Sequence, residues 1–193
     1  AQAAPAASTP LYSVDEIVGR LQPLLGAHLI SGLTVVTHGF QGSADKGDAL
    51  LNLAQAIRAR TNGWLLDYDV NSDTYVSGFD PQSSMLPPST GVGTAHEMVL
   101  LFDWAAATNN LSSGWGEAAG DALFSLITRL GLVDPAAGDQ NPIPLHFIAH
   151  SFGTAVTSET VERLARFHVP VDQVTFLDPH DFAQPSLTFD TAQ

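Results

Sequence analysis

Residues Leu145–Gly153 read LHFIAHSFG, a mostly apolar run that leads into a serine between two small residues. The part from Leu145 to Ala149 has the length and composition of a strand buried inside a sheet. The segment after Gly153 carries apolar residues at helical spacing, which predicts a helix. Ser151 is therefore expected on a sharp turn from a strand into a helix, where the residues two before and two after it must be small.

A serine on such a turn points to nucleophilic chemistry. The N-terminus of the following helix favours the negative charge that develops when a hydroxyl attacks a carbonyl group. Gly153 is the second small residue usual in this turn, and Ala149 stands where the first glycine is usual. We therefore predict Ser151 as a nucleophile, and the alternative is a structural turn serine.

The rest of the chain alternates short apolar runs with amphipathic segments. Strands are predicted at Leu33–Thr37, Trp64–Val70, Met98–Phe102 and Val174–Leu177. Helices are predicted behind a capping box of Ser13 and Glu16, from Leu50 to Ile57, from Ala119 to Leu130 and after Gly153. Pro23 is expected to end or kink the first helix. This alternation indicates an α/β fold with a mostly parallel sheet, whose functional residues follow the carboxyl ends of the strands.

Length and composition indicate one domain. The 193 residues are 45% hydrophobic and 14% charged, which excludes a disordered chain and gives no sign of a second domain. Residues 1–10 are rich in Ala and Pro and are interpreted as a flexible leader before a single domain at 11–193. This composition resembles the N-terminus that remains after a signal peptide has been removed, so we expect secretion. A plain flexible tail is the alternative.

Charge excludes several classes of partner. The net charge is -13 and Lys46 is the only lysine, so nucleic acids and anionic lipid surfaces are not expected partners, and neutral substrates are favoured. No run approaches the roughly 18 apolar residues of a membrane-spanning helix. The absence of cysteine excludes disulfides and thiolate metal sites. The oligomeric state stays open.

The segment TVVTHGF, Thr34 to Phe40, predicts a second part of the site. Gly39 permits a tight turn after a buried strand, which can aim the next amide into the site. The tetrahedral intermediate of ester cleavage needs two such amides on its oxyanion, and Phe40 and Phe152 are the candidate donors. His38 is expected to brace this loop through side-chain hydrogen bonds rather than to act as a base.

The segment VTFLDPHD, residues 174 to 181, offers a carboxylate. Asp178 directly follows the strand after the predicted helix, where a catalytic triad needs an acid to orient its histidine. A surface turn before Pro179 is the structural alternative. Asp103, at the end of another strand, is the second candidate for the acid.

In order along the chain, these motifs resemble those of the pancreatic-type lipase family of α/β-hydrolases. The matching motifs are HGF at 38–40, DW at 103–104, HSFG at 150–153 and LDP at 177–179. The resemblance spans roughly Leu33 to Asp181. It implies an α/β-hydrolase-like, mostly parallel sheet with helices on both faces, here incomplete at the C-terminal end.

The resemblance also implies an activity. It makes Ser151 the nucleophile, Asp178 the acid, and the amides of Phe40 and Phe152 the oxyanion donors of a serine carboxylic ester hydrolase. The substrates would be esters, often lipids, cleaved through an acyl-enzyme without a cofactor. An acyltransferase or a thioesterase would use the same residues.

The general base is where the chain departs from the family, whose catalytic histidine lies well after the acid. Here only His180 follows Asp178, and one proline separates them, which is too close for the ring to reach both Asp178 and Ser151. His180 is therefore a weak candidate for the base. We expect the histidine on a segment beyond Gln193, in which case this chain is truncated; a catalytically inactive domain that binds lipid or a partner is the alternative.

One acidic segment resembles a calcium loop. Its oxygen-bearing residues alternate, and they are Asp69, Asn71, Asp73 and Tyr75, with Asp80 at the far end. Thr74 occupies the place of the usual glycine, and Asp80 is shorter than the usual glutamate. A solvated acidic turn is favoured, and no metal site is predicted, with calcium as the alternative.

Overall fold

A computed structural model describes residues 11–39, 49–70, 74–76, 92–104 and 114–180. The described residues form one seven-stranded sheet and four α-helices. The strands are β1 (Leu11–Ser13), β2 (Ile30–Thr37), β3 (Trp64–Asp69), β4 (Thr74–Val76), β5 (His96–Asp103), β6 (Leu145–His150) and β7 (Gln173–Leu177). The helices are α1 (Val14–Gly26), α2 (Ala49–Thr61), α3 (Trp115–Arg129) and α4 (Gly153–Arg166).

The sheet has the order β1-β4-β3-β5-β2-β6-β7. Strands β3, β5, β2, β6 and β7 run parallel, whereas β4 is antiparallel to both β3 and β1. The predicted α/β fold with a mostly parallel sheet is confirmed. After β2 the chain builds one side of the sheet with β3 and β5, and then places β6 on the other side of β2. The order of the strands therefore reverses between β2 and β6, and ligands of open α/β sheets bind at such a point.

Helices cover both faces of the sheet, because successive residues of each strand point to opposite faces. Val35 and Phe147 belong to the core that includes buried residues of α1, α3 and α4. Val36 and Ile148 belong to a second core, which includes buried residues of α2. The central strands β2 and β6 are thus enclosed on both sides, which fixes their carboxyl ends rigidly.

Helix α1 begins as predicted but does not end as predicted. The capping box is present: the Glu16 N–H donates to Ser13 Oγ at 3.3 Å, and the Ser13 N–H donates to the Glu16 carboxylate at 2.7 Å. The expectation that Pro23 ends the helix is wrong, because α1 continues for three residues beyond it; a kink at Pro23 stays a prediction. A proline in the last turn removes a single backbone bond. Leu21 and Leu24, at most 1% exposed, hold this turn against the core.

Strand β7 lies at an edge of the sheet and pairs with β6. Its large apolar side chains Val174, Phe176 and Leu177 are 39%, 40% and 38% exposed. The described residues therefore leave this end of the sheet partly uncovered. Among the described helices, none has both the length and the apolar character needed to cross a membrane.

Candidate functional site

Ser151 lies on the predicted turn, between the end of β6 and the start of α4. Its φ is +52°, in the left-handed region that a serine rarely adopts. Such a conformation costs about 1–2 kcal/mol in a residue with a Cβ and persists only where the surroundings impose it. The residue is half-buried and lies at the edge of the sheet.

Backbone hydrogen bonds on both sides hold the Ser151 turn. Its N–H donates to the Leu177 carbonyl at 2.9 Å, which ties the turn to β7. Its carbonyl oxygen accepts from the Thr154 N–H at 3.1 Å, from Thr154 Oγ1 at 2.7 Å and from the His180 N–H at 3.3 Å. Thr154 is fully buried and was not predicted as part of the site. These bonds supply the constraint that the strained serine requires.

Two glycines let the ends of β2 and β6 approach closely. A Cβ on Gly153 would lie 2.5 Å from the His38 carbonyl oxygen, which is backbone and cannot move aside. A Cβ on Gly39 would lie 2.6 Å from Ser151 Cβ and 3.1 Å from Ser151 Oγ. Ala149, by contrast, is fully buried inside β6, where its methyl group is accommodated. The alanine in place of the first glycine is therefore compatible with the turn.

The strand registers bring the predicted site residues to one edge. Ala149 of β6 pairs with Thr37 of β2 on one side and with Phe176 of β7 on the other. The residues that follow these three strands consequently lie side by side. Asp178, the predicted acid, is the first residue after β7; it is exposed and has a φ of +48°. The structure thus brings Asp178 near Ser151.

His38 is only 1% exposed and is held on both sides of its ring. Its Nδ1 lies 3.0 Å from the Gly39 carbonyl oxygen, and its Nε2 lies 3.1 Å from Asp103 Oδ1. The Trp104 N–H donates to the same Nε2 at 3.1 Å, and Trp104 Nε1–H donates to the His38 carbonyl at 2.9 Å. These bonds agree with the bracing role expected for His38. They also give Asp103, the second candidate for the acid, a partner other than a catalytic histidine.

Phe152, a predicted oxyanion donor, is the residue after Ser151 and is 1% exposed. Its ring lies 5.8 Å from that of Trp104, which stacks on His38 at 5.7 Å. With the ring buried in this aromatic layer, the group that Phe152 can offer a substrate is its backbone N–H. That N–H lies at the start of α4, where the helix dipole is positive. Phe40, the other predicted donor, lies outside the described residues.

The general base is the part of the site that the described residues do not supply. His38, His150 and His180 come near Ser151 in the chain or in space. Among the described residues, however, no histidine ring forms a hydrogen bond with Ser151 Oγ. His180, the weak candidate, is exposed and meets Ser151 through its backbone N–H. Its role as a base stays a prediction.

His146 is the second residue of β6. It is half-buried in β6, and its Nε2 lies 3.1 Å from Thr175 Oγ1 on β7. Burial lowers the pKa of its imidazole, which favours the neutral ring. His146 is therefore a strand residue that links β6 to β7.

The calcium-like segment is only partly described. Asp69 ends β3, whereas 71–73 and Asp80 lie outside the described residues. Within the described ranges, no group of three or more His, Cys, Asp or Glu side chains is arranged to hold a metal ion. A solvated acidic turn at this segment stays the prediction, with calcium as the alternative.

Comparison with protein-family models, with curated proteins and with solved structures finds no match to this chain. The resemblance to pancreatic-type lipases therefore rests on the motifs alone. What the structure adds is independent of that resemblance: a strained serine on a strand-to-helix turn, in contact with Gly39 at the point where the strand order reverses.

Proposed function

We propose that the chain carries the nucleophilic site of a serine carboxylic ester hydrolase of the α/β-hydrolase type, an esterase or lipase. The observation that carries the proposal is the left-handed Ser151 between β6 and α4. A strained, half-buried serine held by four backbone-directed hydrogen bonds is costly, and strain of this kind concentrates at active sites. The contact with Gly39 adds a second strand end to the same site.

In the proposed mechanism, Ser151 Oγ attacks the ester carbonyl carbon while a histidine oriented by Asp178 accepts the hydroxyl proton. The N–H groups of Phe152 and Phe40 bind the negative oxygen of the tetrahedral intermediate. Collapse breaks the bond to the alcohol, which leaves with the proton from the histidine. Water, deprotonated by the same histidine, then releases the acid from the acyl-enzyme.

The proposed substrates are neutral esters or lipids. With a net charge of -13, the protein repels anionic ligands, so nucleic acid is not proposed as a partner. The chemistry requires no cofactor, and calcium is not part of it. Secretion is proposed from the Ala- and Pro-rich start of the chain.

A second candidate is a domain that binds lipid or a partner without catalysis. It is favoured by one observation: no histidine ring bonds to Ser151 Oγ within the described residues. Covalent labelling of Ser151 separates the two, since a binding domain has no reason to activate this hydroxyl.

The proposal is tested by hydrolysis of p-nitrophenyl esters of graded chain length by the full-length gene product. Ser151→Ala should lower kcat by about 10⁴-fold or more, as loss of a nucleophile does. Ser125→Ala, an exposed serine on α3, is the matched control and should keep the wild-type rate. Equal rates for Ser151→Ala and wild type would overturn the proposal. Parallel assays with thioesters and with competing alcohols decide between hydrolysis and acyl transfer.

A further inference from the structure

We infer that Asp103 and His38 form a positioning pair that holds the Gly39 carbonyl toward the buried His38 ring, and so keeps this carbonyl away from the oxyanion that forms at Ser151. The inference rests on the proposed function. It assigns to Asp103, the second candidate for the triad acid, a role that acts through His38.

The His38 ring carries a proton on Nδ1. The Gly39 carbonyl oxygen has no hydrogen to donate, so in the 3.0 Å contact His38 Nδ1 must carry the proton. This bond turns the Gly39 C=O toward the buried ring. A carbonyl dipole facing an oxyanion would destabilise it, whereas an N–H stabilises it.

The His38 ring is also supported on its other side, at Nε2. Nε2 lies 3.1 Å from both Asp103 Oδ1 and the Trp104 N–H, and the Trp104 ring stacks on the imidazole with an angle of 13° between the planes. Nε2 either accepts from Trp104 or shares a proton with Asp103. With the proton of the neutral ring on Nδ1, Nε2 accepts from the Trp104 N–H; sharing a proton with Asp103 instead would require a proton on each ring nitrogen, and Nδ1 would still donate to Gly39.

The path from Asp103 to the nucleophile is short. Asp103 is the last residue of β5, and His38 directly follows β2; Phe102 and Thr37 are opposite each other in these paired strands. Gly39 is the next residue and touches Ser151. A change at Asp103 therefore reaches the reacting hydroxyl through one ring and one peptide. Asp103 is a positioning residue, because it acts through its contact with His38 Nε2.

Three variants of the full-length protein separate positioning from simple stability. His38→Leu removes all three hydrogen-bond contacts of the ring, with Gly39, Asp103 and Trp104, and we expect kcat to fall by about 10²-fold with KM unchanged, as when an oxyanion donor is lost. His38→Asn keeps an N–H in the place of Nδ1 and should recover most of that loss. Asp103→Asn keeps the His38 ring but weakens the contact that supports its Nε2, and should give a smaller fall in kcat than His38→Leu. Thr34→Val, which removes the 2.7 Å bond from Thr34, in the middle of β2, to Glu97 of β5, is the matched control for lost stability and should keep the wild-type kcat.

Two results would overturn the inference while the proposed function stands. One is an active wild type in which His38→Leu folds and keeps its kcat. The other is an equal loss of kcat in His38→Leu and in the Thr34→Val control. If His38→Leu does not fold, the comparison of His38→Asn and Asp103→Asn with wild type decides: an unchanged kcat in Asp103→Asn overturns the pair.

A spectroscopic measurement separates this failure from that of the proposed function. In protein labelled with ¹³C at glycine carbonyls and ¹⁵N at histidine, a protected His38 Nδ1–H and a Gly39 carbonyl shift that moves in Asp103→Asn are expected. Absence of the Nδ1–H signal overturns the inference whatever the activity. If the signal is present but wild type neither hydrolyses esters nor labels at Ser151, the proposed function fails and the inferred role fails with it.

Discussion

Gly39 and Ser151 are in contact across the ends of β2 and β6: a Cβ on Gly39 would lie 2.6 Å from Ser151 Cβ. The two strands pair in register up to Thr37 and Ala149, so this contact comes directly after the last rung of the ladder. A rigid sheet therefore sets the distance between the serine and the loop that is proposed to bind the oxyanion.

The change Gly39→Ala tests that contact. The added methyl group meets the Cβ of Ser151 and forces a shift of the turn or of the loop, and overpacking of this kind costs about 1–3 kcal/mol. We expect a lower melting temperature and a fall in kcat of at least about 10-fold, because small displacements of reacting groups are costly. Gly19→Ala in α1, where a Cβ meets nothing within 4 Å, is the control and should stabilise by about 0.5–1 kcal/mol. Wild-type kcat in Gly39→Ala would contradict the close contact.

The strain at Ser151 predicts an unusual order of stability for two inactive variants. Both Ser151→Gly and Ser151→Ala lose the hydroxyl, but only glycine adopts a φ of +52° without cost. Ser151→Gly should therefore be more stable than Ser151→Ala by about 1 kcal/mol in urea unfolding. Equal midpoints and slopes for the two variants would show that the serine is not strained.

The interface of α3 and α4, which supports the start of α4, depends on a glycine. A Cβ on Gly120 would lie 2.6 Å from Glu159 Cβ and 2.9 Å from the Val156 carbonyl oxygen. Helix propensity favours alanine over glycine by about 1 kcal/mol, but the overlap costs about 1–3 kcal/mol. Gly120→Ala should therefore destabilise, opposite in sign to Gly19→Ala, and a gain in thermal stability would contradict this packing.

Glu97 predicts a pH-dependent stability. Burial raises the pKa of its carboxyl above 4.5, and a hydrogen bond from Thr34 opposes that rise. Glu97 therefore makes its full contribution to the free energy of unfolding below pH 4.5. This contribution is lost as the pH rises through the raised folded-state pKa. Glu97→Gln, which is uncharged and still accepts from Thr34, should raise the melting temperature at pH 7 and leave it unchanged at pH 4.

Glu16 is the matched control, because its pKa shifts the other way. The Ser13 backbone N–H, and then the Ser13 hydroxyl, lower the pKa of the Glu16 carboxyl. Its contribution is present above pH 4.5 and is lost as the pH falls through the lowered folded-state pKa. Glu16→Gln should therefore lower the melting temperature at pH 7 and have less effect in acid. Changes of the same sign at pH 7 in Glu97→Gln and Glu16→Gln would contradict the two assignments.

The local sequence pattern is sufficient to predict the strand and the helix on either side of Ser151. The apolar run before the serine and the helical spacing after Gly153 predict β6 and α4, because both signals lie within a few residues. Strands β1 and β4 were not predicted, since three residues carry too little alternation to distinguish a strand from a loop. Helix α3 begins at Trp115, within a stretch whose sequence is mostly polar, so this start was not predicted.

The pairing of His38 with Asp103 could not be derived from either residue alone. The two are 65 positions apart, and only the order of strands in the sheet makes them neighbours. A usable signal does exist: both follow buried strands, and the carboxyl ends of parallel strands share an edge. The same reasoning predicts Asp178 at this edge, where Leu177, the residue before it, bonds to the Ser151 turn; the role of Asp178 as the acid stays a prediction. This reasoning gave no histidine for the base, because no histidine in the sequence follows a strand at a suitable distance.

The central claim is that the hydroxyl of Ser151 is an activated nucleophile. Its most direct test is incubation of the full-length protein with a fluorophosphonate, followed by peptide mass spectrometry of wild type and of Ser151→Ala. We expect one covalent phosphonate on the peptide that contains Ser151, lost in Ser151→Ala and slowed in Gly39→Ala. An unlabelled Ser151 in folded protein, under conditions that label a known serine esterase to completion, would contradict the claim.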